Sequence, residues 1–169
     1  MAKADLTVIG FSAGARQFRV AAAATAINAG EPVGWEGTLS SGVASVNTVV
    51  VLTTGKPVIA TDSFIGVAAQ TAAQSAGAVI AQKFQVEQVV PNITIIRAKA
   101  KTAANIATDS QLLGVLFDVT TFDLTASAYT INETSSGSNT DSLQILNGDT
   151  TKGTLDVTVD ARALRYAVS

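Results

Sequence analysis

The sequence predicts an all-β fold: a small barrel or sandwich of many short antiparallel strands, with an extended N-terminal arm. Three observations carry this reading. Val, Ile and Thr gather in short runs, Gly, Pro and Asn turn signals bound those runs, and several of them alternate apolar with polar residues. β-Branched side chains are stiff at χ1 and fit a pleated surface, which is why such runs favour strands.

Taken in order, residues 5–9 (Asp-Leu-Thr-Val-Ile) and 16–21 read as short strands. Residues 21–26 read as an extended approach to the turn Asn28-Ala29-Gly30-Glu31-Pro32, with a helical turn as the alternative. Residues 43–52 hold Val43, Val46, Val49, Val50 and Val51 and read as a strand. After a turn at 53–57, strands are expected at 58–60, 64–68, 77–84, 86–90 and 93–98. Pro91 divides the last two because proline cannot donate to a central ladder. Residues 69–76 and 99–105 read as short helices or polar loops, since neither has an apolar stripe of large residues.

Leu112 to Val119 reads as a buried strand, and 122–131 places Phe122, Leu124, Ala126 and Ala128 on one face. Residues 132–141 form a polar loop. Residues 142–146 and 153–159 read as a hairpin around Asn147-Gly148-Asp149-Thr150, because Asn-Gly suits a tight hairpin turn. Leu155, Val157 and Val159 then face one way, and Asp156, Thr158 and Asp160 the other. One segment echoes another: Ile59-Ala-Thr-Asp-Ser63 returns as Ile106-Ala-Thr-Asp-Ser110, and Gly-Val follows each copy. Either a β element is duplicated, giving units of about 32–98 and 99–169, or a low-diversity sequence repeats by chance. An Asp in such a turn can cap the backbone through its side chain. The domain reading is an arm or edge strand at 1–20 and a β domain at 21–169.

Composition narrows function. Charged residues make up 14% of the chain, against about 25% in ordinary domains. A surface so poor in charge resists self-association weakly, which favours a protein in contact with its own copies or with a partner. Eleven basic and 13 acidic residues leave a net charge of −2, and no Lys/Arg run occurs, so nucleic-acid binding is not expected. No signal peptide is read at the N-terminus. No stretch approaches the roughly 18 apolar residues of a spanning helix, so no membrane is expected.

The chain has neither Cys nor His, which removes thiolate chemistry, the commonest general base and the commonest metal ligand. Ser40-Ser41-Gly42 and Ser135-Ser136-Gly137 read as turns rather than as activated nucleophiles. Asp109, Asp118 and Asp123 share no helix face, and Asn139 to Asp141 and Asn147 to Asp149 fall short of a calcium loop. We therefore expect no enzyme, no catalytic residue, no cofactor and no metal. Trp35 reads as a core anchor, with an interface anchor as the alternative.

Two stretches carry a resemblance. Arg19-Val-Ala-Ala-Ala-Ala-Thr-Ala-Ile-Asn-Ala-Gly-Glu-Pro-Val33 and Lys56-Pro-Val-Ile-Ala-Thr-Asp-Ser-Phe-Ile-Gly-Val-Ala-Ala69, followed by a Gly-Ala-Val strand, resemble the head decoration (cement, or auxiliary capsid) proteins of bacteriophages. The likeness spans about residues 19–84 and rests on turn and core positions. It implies a small β protein that decorates and stabilises the outside of a phage head, made in the bacterial host cytoplasm and carried in the virion. It implies two partners, the major capsid protein and further copies of the chain, as a homotrimer or, alternatively, a dimer. The alternatives are a tail, fibre or other virion β-module, and a surface carbohydrate-binding β-domain.

The capsid or subunit contact is expected on the N-terminal segment, at Leu6, Val8, Phe11, Arg16, Phe18 and Arg19. Arginine among aromatics is typical of interface anchors. The alternative is that residues 5–9 add an edge strand to the domain itself.

Overall fold

The computed structural model describes residues 6–12, 14–20, 27–35, 48–51, 64–71, 83–90, 92–120, 122–124, 129–134 and 143–159. The expected strand at 58–60, most of that at 77–84, the first copy of the echo and the loop at 135–141 lie outside them. The described strands are β1 (Thr7–Val8), β2 (Ala15–Val20), β3 (Pro32–Trp35), β4 (Thr48–Val51), β5 (Phe64–Ala68) and β6 (Lys83–Gln88). After them come β7 (Ile95–Ala100), β8 (Val119–Thr120), β9 (Phe122–Leu124), β10 (Tyr129–Ile131), β11 (Leu143–Asp149) and β12 (Thr154–Val159). A 3₁₀ turn (Ala103–Ile106) and helix α1 (Asp109–Val115) stand between β7 and β8.

The strands form two hydrogen-bonded sets. In one, β2 pairs with β6 and β4, β4 with β3, β3 with β5, and β5 with β6, so the pairings return on themselves. In the other, the order is β8-β11-β12-β7-β10-β9, with β1 also on β7. The chain is mainly β, as expected, but not purely antiparallel: β2–β4 and β7–β10 are parallel. A parallel pair needs a long crossover, and nothing in a local residue pattern marks its direction. Strand β1 joins the second set and β2 the first. The boundary expected at 98/99 falls inside β7.

Strand β12 is the centre of the core. Leu155, Val157 and Val159 are each 0% exposed, packed with Ile96, Phe122, Tyr129, Ile131, Leu143 and Ile145. Burying each such side chain contributes about 1.5–3 kcal/mol. The opposite face of β12 is not solvated as its alternation predicts: Asp156 and Thr158 are buried too. Arg97, its register partner on β7, covers Asp156 and donates to both carboxylate oxygens at 2.7 and 2.8 Å.

Four readings of the C-terminal half are corrected. The buried strand expected at 112–119 is instead helix α1 followed by β8. Its start is a capping box: Thr108 Oγ1 accepts from the Gln111 N–H, and Gln111 Oε1 accepts from the Thr108 N–H. The cap in the second copy of the echo is therefore Thr108, not Asp109. Leu112, Val115 and Leu116 face the core, at the spacing a helix face requires.

The run 122–131 is not one strand. Strands β9 and β10 pair antiparallel, with Phe122 opposite Ile131, both 0% exposed. The reversal brings the two apolar ends together in the core.

Asn147-Gly148 is not the hairpin turn but part of β11, beside a shift in register. A Cβ on Gly148 would lie 2.6 Å from Leu112 Cδ1, so this glycine makes room for helix α1. The turn itself follows Asp149, whose carboxylate accepts from the Thr151 and Lys152 N–H groups, with Gly153 left-handed at φ 64°.

Candidate assembly surface

The N-terminal segment is placed by hydrogen bonds to both sets of strands. Thr7 and Val8 lie opposite Arg97 and Ile96, and the Ile9 N–H donates to the Ile95 carbonyl at 2.9 Å. One residue earlier, the Leu6 N–H donates to the Gly30 carbonyl at 3.0 Å, in the turn before β3. The edge-strand arrangement is thus the one present.

It divides the expected contact residues. Leu6 is 2% exposed and belongs to the core, and Val8 is half-buried against it. Phe11 is 82% exposed, and Ile9 and Ile93 are also exposed. Arg16, Phe18 and Arg19 lie on β2, opposite Val86, Phe84 and Lys83 of β6. Trp35 lies at the end of β3, opposite Val49.

A second exposed apolar site was not anticipated. Leu113 and Phe117 are 69% and 67% exposed, on α1 and just beyond its C-terminus. Phe117 is also left-handed, at φ 68°. A bulky residue there costs about 1–2 kcal/mol relative to an ordinary conformation. The conformation is held by flanking backbone bonds: the Phe117 N–H donates to the Ile145 carbonyl at 2.8 Å, and the Ile145 N–H to the Asp118 carbonyl at 3.1 Å. The signal for the site was present in the sequence. Reading Thr108-x-x-Gln111 as a helix start turns Leu112, Val115 and Leu116 inward and Leu113 outward.

Two buried carboxylates tie segments together. Glu31, 1% exposed, accepts from the Asn28 N–H at 2.8 Å, from Asn28 Nδ2, and from the Tyr129 hydroxyl at 3.2 Å. That last bond joins the turn before β3 to β10. Glu133, 4% exposed, accepts from the Thr102 N–H and from Asn105 Nδ2, fixing the 3₁₀ turn against the end of β10.

Elsewhere charge is spent on pairs near the surface. The Asp123 carboxylate, as hydrogen-bond partner and as a charge, raises Lys101 at 2.6 Å. The Lys152 N–H and then its ammonium hold Asp149 below the usual carboxylate value. Among the described residues no group of three carboxylates is placed to hold a metal ion, and no helix is long and apolar enough to cross a membrane.

No family model, curated protein or solved structure matches the chain. The case for a function therefore rests on the surface itself: a β protein poor in charge that, among the described residues, leaves Ile9, Phe11, Ile93, Leu113 and Phe117 in water.

Proposed function

We propose that the chain is a non-enzymatic virion protein that decorates and stabilises the outside of a bacteriophage head. In this reading it is bound to the major capsid protein and to its own copies as a homotrimer. The observation that carries the reading is Phe11, 82% exposed just beyond the docked edge strand β1. Burying a Phe side chain yields about 1.5–3 kcal/mol, and here that gain is left for a partner. The low charge content and the mainly β fold support the same reading, and the ring of pairings through β2 to β6 supports a small barrel. The contact lies on residues 6–19, with Phe11 as its anchor and Leu6 and Val8 fixing the segment from within. The reading requires no cofactor, nucleic acid or membrane.

The test compares virions of the encoding phage with virions lacking the gene, by electron microscopy and heat challenge. Loss of an outer layer of density from the head, with earlier head rupture, is expected. Heads of unchanged density and heat resistance, or density lost from the tail instead, would reject the proposal.

A further inference from the structure

Strand β1 docks in a slot made by both sets of strands. Along one edge of β7, β10 pairs with Lys99 and Ala100, and β1 covers the stretch at Ile96 and Arg97. On either side of β1, the Ile9 N–H reaches the Ile95 carbonyl and the Leu6 N–H the Gly30 carbonyl. Leu6, 2% exposed, joins the core cluster that holds Val67, Val89 and Ile96. Without this segment that stretch of β7 would be an open edge, which pairs readily with an extended chain.

The connection from β1 to β2 is short. Gly14, at φ 86°, immediately precedes β2, which pairs with β6 in the other set. A Cβ on Gly14 would meet nothing within 4 Å, so this glycine answers to the backbone angle alone. Phe11 lies in the same connection and is 82% exposed.

We propose that copies of this chain exchange β1, the Leu6–Ile9 segment of one copy occupying the slot at β7 and Gly30 of the next. The inference rests on the self-association proposed above and names its mode. The slot itself identifies the occupant: Leu6–Ile9 fills it, and the same segment from a second copy makes the same contacts. Exchange of an identical element therefore forfeits none of them, and short hinges favour it. A connection that crosses to another copy runs extended and does not need a left-handed residue at 14. Crossing also brings Phe11 against the neighbouring copy, where its ring leaves water. Two copies exchange reciprocally; passed on in one direction, the exchange closes a ring when the rotation permits.

The test uses the full chain, which has no cysteine of its own. In Ile9→Cys/Ile95→Cys the two thiols stand at residues joined by a backbone hydrogen bond between the N-terminal segment and β7. Both positions are partly exposed, so the fold is expected to persist, and far-UV circular dichroism checks this. After mild oxidation, denaturing electrophoresis without reductant is expected to show chains linked to one another, well beyond what either single variant gives. Thr7→Cys/Arg97→Cys, the facing pair two residues away, takes its place should no bond form. Bonds formed only within single chains overturn the proposal.

Gly14→Ala gives an independent reading by sedimentation velocity over a range of concentrations. Alanine fits the space at 14 but not the angle, so the closed arrangement is penalised and the exchanged one is not. The concentration for half assembly is expected to fall about fivefold or more below that of the wild type. An unchanged or raised value, or a monomer throughout for both proteins, overturns exchange. A wild type that assembles while its cysteine variant links only within chains overturns exchange and leaves self-association standing. Neither measurement involves a head, so decoration is judged separately.

Discussion

Strand β12 and helix α1 treat their apolar residues in opposite ways. Along β12 both faces are buried, even where Asp156 and Thr158 sit. Along α1 one face, Leu112, Val115 and Leu116, packs against the core, while Leu113 remains 69% exposed. Both segments are apolar in sequence. One pairs with a strand on either side inside the sheet, whereas the other packs only one face on β11 and the core. The high hydrophobic content of this chain is thus not all core; part of it lies on the surface and is available to another molecule.

The sharpest way to break this comparison is to truncate one leucine from each segment. Leu155→Ala leaves a cavity in the sheet centre and is expected to cost about 2–5 kcal/mol in denaturant unfolding. Leu113→Ala is expected to stay within about 0.5 kcal/mol. Equal costs would mean that the two segments are not different in kind.

Next in size is the covered face of β12. Arg97→Met keeps the apolar stem but strips both hydrogen bonds from Asp156, whose side chain is 8% exposed. A buried carboxylate left without its partner is costlier than a neutral group so stranded, and a lower denaturant midpoint is expected. Lys101→Met removes a more exposed pair and should lower the midpoint less. If the two variants unfold at the same denaturant concentration, Asp156 is better solvated than its burial indicates.

Helix α1 is sharpened by its cap. Thr108→Ala removes the acceptor for the Gln111 N–H, and a loss of about 1 kcal/mol is expected by the same measurement. No change would show that packing of Leu112 and Leu116 alone holds the helix.

The smallest effect concerns pH. Asp149 is held below its ordinary value of 3.8, so its stabilising contribution is complete above that pH and is lost as pH falls through its lowered folded value. Stability of the wild type should therefore exceed that of Asp149→Asn at neutral pH, with the gap closing only in that acidic window. A gap that is the same throughout would leave the turn's geometry, not its charge, as the cause.

Much of the strand content was legible from local pattern. Residues 64–68 match β5, and Leu155, Val157 and Val159 face the core as their alternation requires. The failures have identifiable causes. The run Leu112 to Val119 was read by its apolar content, although the Thr108–Gln111 cap was in the sequence and outweighs it. Asn147-Gly148 has the residues of a tight turn, but Gly148 lies within β11 where Leu112 approaches it, and the turn forms around Asp149 and Gly153. Within the candidate surface, Phe11 was found because arginines and phenylalanines lie close together in the chain. Phe117 was missed because its exposure depends on a helix that was not recognised.

The sequence by itself determined the chemistry this protein can bring to a partner. It has no imidazole and no thiol, few charges, a basic stretch near the N-terminus and a long acidic one from Thr102 to Thr151. These are properties of composition and order along the chain, and folding does not alter them. Only the tertiary structure decided which apolar side chains remain in water. Leu6 and Phe11 lie five positions apart in one segment, yet the first is 2% exposed and the second 82%. The difference arises because Leu6 meets Gly30 and the core across the junction of the two strand sets, a contact between residues distant in sequence. Burial is set by such long-range neighbours, and no local pattern contains them.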